Sequence, residues 1–470
     1  MSDINYKSQK RVALLVATLS SFLTPFMSSA INVAIPSIAR EFSTDAVLLS
    51  WLVTAFLLTS TTLLIPFGRI ADIYGRKRIF IVGVIVFSLA SLFCASSMSM
   101  KVLLMSRVVQ GIGGAMMFGT SIAILVSVFP YGERGKALGI NVSAVYAGLS
   151  IGPSLGGVLT HYISWRAVFI FSSLVGVLIT LFASRLNLPI FNQKQMREKF
   201  DFLGSILFCL SLFSLMLGLS QISTKNGQVW FLAGCLGTVF FVFYQSRNEN
   251  PLFALHLFKN RVFAFSNLAA LINYTATSAV SFIMSIYLQE IKVLSPRETG
   301  LILLCQPFVQ ALLSPFAGAL SDRVQPRFVA SAGMFLTALA LFAFSFIEVQ
   351  TTVTSVVLVL MVLGLGFALF SSPNTSAAMS AVHKQSYGVA SAMLATMRLT
   401  GGMIAMTLTT LFINTFLGGS KVSSETAHLF LRSAKTAFIV FSALCIVGVV
   451  SSLIRGKTAN KLDEMALNRE

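Results

Sequence analysis

Long apolar runs dominate this sequence and constrain its fold more than any other feature. Fourteen such runs can be delimited, each close to the length of about 20 residues that a helix needs to cross the hydrocarbon core of a bilayer. Only 11% of the 470 residues are charged, whereas soluble domains carry roughly 25%, so a soluble fold would leave much apolar surface uncovered. Membrane-spanning β-strands are shorter and alternate in polarity. The sequence therefore predicts an all-α polytopic membrane protein.

The boundaries of these runs predict the topology. The predicted spans cover residues 12–33, 48–67, 79–98, 103–129, 136–160, 166–185, 203–222, 229–246, 264–288, 299–317, 328–347, 352–373, 387–413 and 434–454. An even number of spans places both termini on the same side of the membrane. The basic N-terminal residues precede an apolar run that is too long for a signal peptide, so we expect the first span to stay in place as an anchor.

The distribution of basic residues predicts which side is inside. The chain carries a formal net charge of +18, and most of its 34 Lys and Arg residues fall in the loops and tails that share a side with the termini. Such a bias marks cytoplasmic loops and also attracts anionic lipid. We therefore expect a protein of the cell membrane with both termini in the cytoplasm. Because no basic patch lies outside these loops, the charge does not indicate nucleic-acid binding.

The reactive side chains do not predict an enzyme. The five cysteines all fall within apolar runs and are not clustered, which indicates packing residues rather than disulfides or metal ligands. The four histidines lie near loops, where a surface position is the default interpretation. No Ser/His pair, paired aspartates or His/Glu set stands at helical spacing, so neither a membrane enzyme nor a sensor is favoured. We expect no cofactor and no metal.

A short polar segment, Gly68–Arg78, interrupts the apolar pattern after the second span and has an echo later in the chain. The echo, Gly318–Asp322, follows the tenth span in the same register, and a Pro-Phe pair precedes each segment. This repeat predicts two related six-helix bundles, a plan typical of transporters with a binding site between the repeats. The expected divisions are an N-terminal tail at 1–11, bundles at 12–188 and 263–454, a linker with two further spans at 189–262, and a C-terminal tail at 455–470.

Further motifs follow the same plan. The fourth span contains Arg107–Ala115, with the pattern Arg-x-x-Gln-Gly, and the fifth contains the glycine-rich segment Gly148–Gly157. With Gly68–Arg78, these motifs resemble the major facilitator superfamily, and within it the fourteen-span branch of drug:proton antiporters. Other segments with this resemblance are Asn32–Pro36, Tyr287–Gln289, Ser295–Pro296 with Gly300, and Gly388–Gly402.

The resemblance implies a fold, an activity and partners. It implies two six-helix bundles plus two additional central helices, and secondary transport by alternating access. It further implies export of hydrophobic or amphipathic small molecules, coupling to protons, a surrounding of membrane lipid and a monomeric state. An exporter or flippase for a neutral or anionic metabolite or lipid is the alternative that we retain.

The polar segment Gly68–Arg78 is expected to form a cytoplasmic latch. Gly68 and Gly75 permit a tight turn and close helix approach. Asp72 can pair with Arg76, or lie at the N-terminus of a facing helix, where the helix dipole favours an anion. The alternative is a solvated loop whose charges only set the topology. A weaker second latch is expected from the echo of the segment, at Asp322 and Arg323.

Two arginines within spans are candidates for coupling or substrate binding. An Arg inside a span costs about 2.5–3.5 kcal/mol on insertion scales, so Arg107 is expected to face the interior with Gln110 on the same helical face. Snorkelling to lipid headgroups is the alternative. Arg398 is a similar but weaker case. In the fifth span, Gly148, Gly152, Pro153, Gly156 and Gly157 are expected to form a hinge or seal, or else an ordinary tight helix contact.

Polar and aromatic residues that interrupt the spans are candidates for the cavity lining, although any one of them more often forms an interhelical hydrogen bond than binds a ligand. They are Asn32, Trp51, Asn141, Tyr146, Asn273, Tyr274, Gln306, Gln310 and Asn374.

One departure from the family pattern concerns the proton carrier. The branch usually has an aspartate in its first span, at the position of Met27 here. No acid lies clearly within a predicted span. Glu290, Glu41, and Asp72 acting with Arg107 are the remaining candidates for coupling.

Overall fold

A computed structural model describes residues 3–42, 46–130, 132–186, 200–222, 224–248, 252, 255–417 and 426–456. These residues form helices and the turns between them, with no strand in the part of the chain that is described. The helices are α1 Asp3–Phe42, α2 Ala46–Tyr74, α3 Arg76–Ala95, α4 Met100–Val128, α5 Arg134–Tyr162, α6 Arg166–Ser184, α7 Phe202–Ser220, α8 Lys225–Arg247, α9 Arg261–Thr277, α10 Val280–Ile286, α11 Pro296–Arg323, α12 Pro326–Phe344, α13 Val353–Ser380, α14 Tyr387–Leu417 and α15 Ala427–Ile454.

The prediction of an all-α fold with fourteen spans is confirmed. Fourteen helical segments are long and apolar enough to cross a membrane. Most extend beyond the predicted spans, because backbone hydrogen bonding continues into polar flanks that hydropathy does not count. The ninth span consists of α9 and α10, which are separated at Ser278–Ala279 and followed by one π-helical turn, Tyr287–Ile291.

The Cα positions divide the chain into two compact units. The first contains Met1–Phe213, Gly237–Leu255 and Val382–Thr396, and the second contains Ser214–Leu236, His256–Ala381 and Met397–Glu470. Helices α7, α8 and α14 each contribute to both units. The domain boundaries that we expected from the sequence remain predictions.

The first unit is built around a phenylalanine-rich core. Phe26, Phe56, Phe87 and Phe169 are fully buried there, and the rings of Phe56 and Phe87 lie 6.4 Å apart, edge to face. Met27 belongs to this core and is 0% exposed, and its sulfur accepts a hydrogen bond from the Ser172 hydroxyl at 3.2 Å. The position where the family usually has an acid is therefore a packing position in this protein.

The second unit has its own apolar core between α10, α12, α13, α14 and α15. Ile283, Leu360, Phe430 and Phe438 are buried in it, and the rings of Phe344 and Phe438 stack 5.3 Å apart. Many large apolar side chains of both units remain exposed, as expected of helices that face lipid.

Candidate functional site

The polar segment after the second span is mostly helical and holds a buried ion pair. Helix α2 continues to Tyr74, and Gly75, with φ of 103°, is the single residue that separates it from α3. Only glycine adopts this φ without strain. Asp72 lies in the last turn of α2, and its Oδ1 accepts a hydrogen bond from Nε of Arg76 at 2.9 Å. The same Oδ1 lies 2.8 Å from Nη2 of Arg76. Both side chains are almost completely buried.

Asp72 also caps the N-terminus of α14. Its Oδ1 accepts the backbone N–H of Gly388 and its Oδ2 that of Val389, each at 2.9 Å. The first N–H groups of a helix have no partner within the helix, and the helix dipole favours a negative charge at this end. The two alternatives that the sequence allowed for Asp72, pairing with Arg76 and facing a helix N-terminus, therefore occur together.

The start of α14 lies directly against α2 and α4 because small residues face one another. A Cβ added to Gly68 would lie 2.7 Å from the carbonyl oxygen of Gly388 and 2.8 Å from Cβ of Ala392. The hydroxyl of Ser391 donates to the carbonyl oxygen of Gly119 in α4. Gly68 thus permits close helix approach, while the tight turn is made by Gly75.

Two arginines enclose the aromatic ring that begins α14. The guanidinium carbon of Arg76 lies 5.3 Å from the ring centre of Tyr387, and that of Arg134 lies 5.7 Å from it. Arg76 also donates to the carbonyl oxygen of Lys384. All three side chains are buried. The sequence analysis missed Arg134 and Tyr387, although Tyr387 immediately precedes the family-like segment that begins at Gly388.

The second latch expected from the echo lies at the end of α11. Asp322 is half-buried and Arg323 is exposed in its last turn. Their role in gating remains a prediction.

Arg107 is completely buried in α4, which answers the choice between burial and snorkelling. Its Nε donates to the carbonyl oxygen of Leu52 at 2.8 Å, and its Nη1 donates to Oε1 of Gln110 at 2.5 Å. Gln110 in turn donates to the hydroxyl of Ser91 at 2.7 Å. The guanidinium lies 4.6 Å from the ring centre of Phe56, and Nη2 has no hydrogen-bond partner. The positive charge is held by neutral groups.

Arg398 belongs to a polar and aromatic group in the second unit. It donates to the hydroxyl of Thr375, and its guanidinium carbon lies 5.7 Å from the ring centre of Tyr274. Tyr274 packs edge to face on Phe367 at 5.1 Å. Nε of Arg398 is buried without a partner, and so are both polar atoms of the Asn273 amide. Unpaired buried polar groups are costly, so these atoms indicate a site that a ligand or water completes.

The other candidates for the cavity lining lie in different surroundings. Asn374 donates to the carbonyl oxygen of Ser266 and accepts from Arg455, each at 2.9 Å, so it makes the interhelical hydrogen bonds of the alternative interpretation. Asn32 is exposed and Trp51 is half-buried. The remaining four are buried, namely Asn141, Tyr146, Gln306 and Gln310.

The glycines of α5 pack against α1 within the first unit. An added Cβ at Gly148 would clash with the carbonyl oxygen of Phe22, one at Gly152 with the hydroxyl of Ser29, and one at Gly156 would lie 2.7 Å from Cβ of Ala30. At Gly157 the nearest atom would be 3.7 Å away, and Pro153 lies inside the same helix. These contacts are tight helix packing, and the hinge remains a prediction.

The acids considered for coupling are placed at helix ends. Glu41 forms two hydrogen bonds with Arg166, at 2.8 and 2.6 Å, and accepts a third from the indole of Trp165 at 2.7 Å. The hydrogen bond from Arg166 is the main reason why the pKa of Glu41 is lowered. Glu290 is exposed in the π-helical turn. In the described part of the chain, no group of three or more His, Cys, Asp or Glu residues could hold a metal.

Relatives of known type resemble the chain over nearly its whole length. It is 27% identical over 462 residues to the riboflavin transporter RibZ of Clostridioides difficile (strain 630), which covers 96% of this chain and 99% of the relative. It is 29% identical over 404 residues to the multidrug resistance protein Stp of Mycobacterium tuberculosis (strain CDC 1551 / Oshkosh), covering 84% of this chain and 75% of the relative.

The fold has a solved counterpart. The proton:xylose symporter XylE superposes with a TM-score of 0.70 over 99% of this chain and 100% of its own, at 13% sequence identity. The sequence model of the Major Facilitator Superfamily matches residues 17–270 and 266–464. Together with the fourteen spans, the Gly68–Arg78 segment and the buried Arg107, this match establishes that the chain belongs to the major facilitator superfamily of transporters.

Proposed function

We propose that this transporter exports hydrophobic or amphipathic small molecules across the cell membrane by alternating access, as a monomer surrounded by membrane lipid. The glycine-rich segment Gly148–Gly157, which resembles the exporter signature of the family, supports the direction. The similarity to a multidrug resistance protein supports the substrate class. Cytoplasmic termini follow from the position of the basic residues.

The arginine–aromatic group of the second unit is the observation that carries the substrate class. Arg398 is held by Thr375 and Tyr274, while its Nε and the amide of Asn273 have no partner. An amphipathic ligand would stack against the Tyr274 and Phe367 rings and supply acceptors to Arg398 and Asn273. Sites of this composition, mainly aromatic with a few placed polar groups, are typical of small-molecule recognition.

A second candidate function narrows the substrate class to neutral or anionic amphiphiles, and a specific observation favours this function. Both arginines within spans, Arg107 and Arg398, have only neutral hydrogen-bond and ring partners. Met27 occupies the position at which the family usually has an acid, and it is part of the apolar core. A cationic drug would find no carboxylate in this group, whereas an anionic or neutral ligand would complete the hydrogen bonds of Arg398. The riboflavin transporter among the relatives supports an uncharged, aromatic ligand.

Uptake into proteoliposomes tests the substrate class. The probes are riboflavin, which is uncharged at pH 7, a carboxylated dye and a cationic phenanthridinium dye. We expect transport of the first two and, in Arg398→Gln, a loss on the order of tenfold that is larger for the carboxylated dye, since one lost charged contact is worth about 1.4 kcal/mol or more. Arg297→Gln, an exposed arginine of the same unit, is the matched control. The second candidate would be contradicted if the cationic dye were transported faster than the other two probes and its rate did not change in Arg398→Gln.

Proton coupling is a separate part of the proposal. It rests on the family branch that the motifs resemble, and the candidate carriers are Glu290, Glu41, and Asp72 acting with Arg107. The same proteoliposomes, with and without an imposed pH gradient, test it: we expect the gradient to drive transport. Equal transport rates with and without the gradient would rule out proton antiport. Gradient-driven transport that persists in Glu290→Gln would rule out Glu290 as the carrier.

Gating is assigned to the capped start of α14. Asp72 stabilises this helix end only while Gly388 and Val389 lie within hydrogen-bonding distance, so the contact can distinguish conformations of the transport cycle. A loop that served only topology would need neither the buried acid nor the glycine contact at Gly68.

A further inference from the structure

At one end of the second unit, an arginine is buried without a counter-ion among the residues that the structure describes. Arg455 follows the last turn of α15 and is 1% exposed. Its Nη1 donates to Oδ1 of Asn374 at 2.9 Å and lies 3.4 Å from the hydroxyl of Ser266. Its Nε and Nη2 are buried and have no hydrogen-bond partner in the described part of the chain. A guanidinium has five N–H donors and accepts nothing, so most of its capacity is unused here.

The orientation of this arginine is fixed by three helices. Asn374 in α13 donates through Nδ2 to the carbonyl oxygen of Ser266 in α9, at 2.9 Å, and this bond directs Oδ1 of the amide towards Arg455. The guanidinium therefore has a defined position, and its free N–H groups point away from both partners.

A second arginine lies beside the first. Helices α12 and α15 run antiparallel: the Ser442 hydroxyl donates to the carbonyl oxygen of Ala338 at 2.9 Å, and Gly448 lies against Met334. The same register brings Arg327, the second residue of α12, next to Arg455. The pKa of Arg455 is lowered to about 9, mainly by burial and also by the charge of Arg327, so Arg455 remains a cation at pH 7.

Arg327 is itself incompletely bonded. Its Nε is buried without a partner, and its guanidinium lies 4.6 Å from the ring centre of Phe328. It stands at the positive end of the α12 dipole. Asp322, the acid nearest to this helix start in the chain, is not among the hydrogen-bond partners of Arg455. A buried cation beside a half-buried one, each with a free donor, calls for a shared anion, because uncompensated buried charge is strongly unfavourable.

We propose that Arg455 and Arg327 bind a phosphate-type oxyanion, supplied either by the headgroup of an anionic lipid or by free phosphate. The fork of a guanidinium matches two oxygens of such a group, and Arg455 presents Nε and Nη2, the pair of donors that bidentate recognition uses. The proposal uses neither Arg398 nor the capped start of α14, so it does not rest on the proposed substrate class.

Thermal unfolding of the purified full-length protein tests the proposal. In delipidated detergent micelles, sodium phosphate is titrated against sodium chloride at constant ionic strength. In a parallel arm, nanodiscs of phosphatidylcholine are compared with nanodiscs that also contain phosphatidylglycerol. We expect a saturable rise in Tm of about 2–4 °C in at least one arm. A rise with phosphate alone identifies the free anion as the ligand, and a rise with phosphatidylglycerol alone identifies the lipid.

The variants separate anion binding from ordinary packing. In Arg455→Gln the anion-dependent rise should disappear, while Tm without anion equals or exceeds that of the wild type, because an uncompensated buried charge has been removed. If Arg455 served only to bond Asn374 and Ser266, this variant would be less stable at every phosphate concentration. Arg261→Gln, which removes an exposed arginine at the start of α9, at the same end of the unit, should keep the wild-type response.

A second variant keeps the test decisive if Arg455→Gln does not fold. Arg327→Gln changes a half-buried residue, and we expect it to raise the half-saturating anion concentration on the order of tenfold. A wild-type Tm that responds to neither anion, or an unchanged response in both variants, would overturn the proposal.

Discussion

The carboxylate of Asp72 has three partners, and its pairing with Arg76 depends on its charge. It accepts two backbone N–H groups of α14 and neutralises the buried Arg76. In Asp72→Asn, Arg76 keeps its charge in a buried position, so we expect the free energy of unfolding to fall by about 3 kcal/mol. Because the capped state loses stability, the transport rate should fall on the order of tenfold.

A second capping aspartate provides the control for this prediction. Asp201 accepts the N–H of Gly204 at 2.8 Å and the side-chain N–H of Gln245 at 2.6 Å, and no basic partner is found for it among the described residues. Asn caps helices about as well as Asp, so Asp201→Asn should leave transport unchanged. The measurements are uptake into proteoliposomes and denaturant unfolding of both variants. If Asp72→Asn transported at the wild-type rate, the Gly68–Arg78 segment would serve only to set the membrane topology.

Glu41, near the C-terminal end of α1, makes a pH-dependent contribution to the stability of the folded protein. Its pKa is lowered in the folded protein, mainly by the hydrogen bond from Arg166. The stabilisation is therefore complete above the ordinary carboxyl pKa and is lost as the pH falls through the lowered value. Since the pair is largely exposed, with side chains 31% and 40% accessible, its worth is at most about 1 kcal/mol and is screened by salt.

The prediction is that Tm of Glu41→Gln lies slightly below that of the wild type at pH 7, and that the difference shrinks once the pH falls below the ordinary carboxyl pKa and disappears below the lowered pKa of Glu41. Thermal unfolding at low and high salt measures it. A difference that does not shrink as the pH falls, or that is insensitive to salt, would show that the ion pair is not its source.

At the scale of single helices, the contact between α1 and α5 tests what the glycines do. The added Cβ of Gly148→Ala would meet the backbone carbonyl oxygen of Phe22, which cannot move without displacing the helix. We expect a loss of about 1–3 kcal/mol in stability. Gly157→Ala belongs to the same motif but meets nothing closer than 3.7 Å, so it should be tolerated. Equal effects of the two variants on Tm would contradict the packing role, whereas a transport defect in Gly157→Ala at normal Tm would support the hinge.

Helices are also the scale at which the sequence was most informative. Apolar runs of sufficient length predict the number and order of the spans, because hydropathy is a local property of the chain. The polar segment after α2 predicted a role for Asp72 in pairing and in capping. Its partner helix could not be identified, since Gly388 and Val389 contribute only backbone N–H groups and are 316 and 317 residues away in the sequence.

The buried arginines also show what local sequence patterns cannot predict. Arg107 was expected to be buried because it stands inside a long apolar run. Arg455 stands at the end of such a run, where the pattern predicts a charged cytoplasmic tail. Only the approach of Ser266 and Asn374, from distant parts of the chain, buries it. Burial of a charge at a helix end depends on tertiary contacts that no local pattern records.

For the whole molecule, α14 is one of three helices, with α7 and α8, that contribute to both units. Its residues up to Thr396 are grouped with the first unit and those from Met397 with the second, while its backbone is one continuous helix. The cap formed by Asp72 lies in the first of these parts and Arg398 in the second. A ligand that engages Arg398 therefore acts on the same helix whose start is held by the proposed gate.

Hydrogen exchange tests this connection. In the wild type, we expect slow exchange for amides of peptides covering residues 387–396, because Gly388 and Val389 donate to a buried carboxylate. In Asp72→Asn, exchange of these peptides should accelerate, while peptides from the buried second half of α13 remain unchanged. A transported ligand should also alter exchange at 387–396 in the wild type, and this response should be reduced in Arg398→Gln. If ligand changed exchange only near Arg398, the start of α14 would not take part in transport, and the gate would have to be sought elsewhere in the chain.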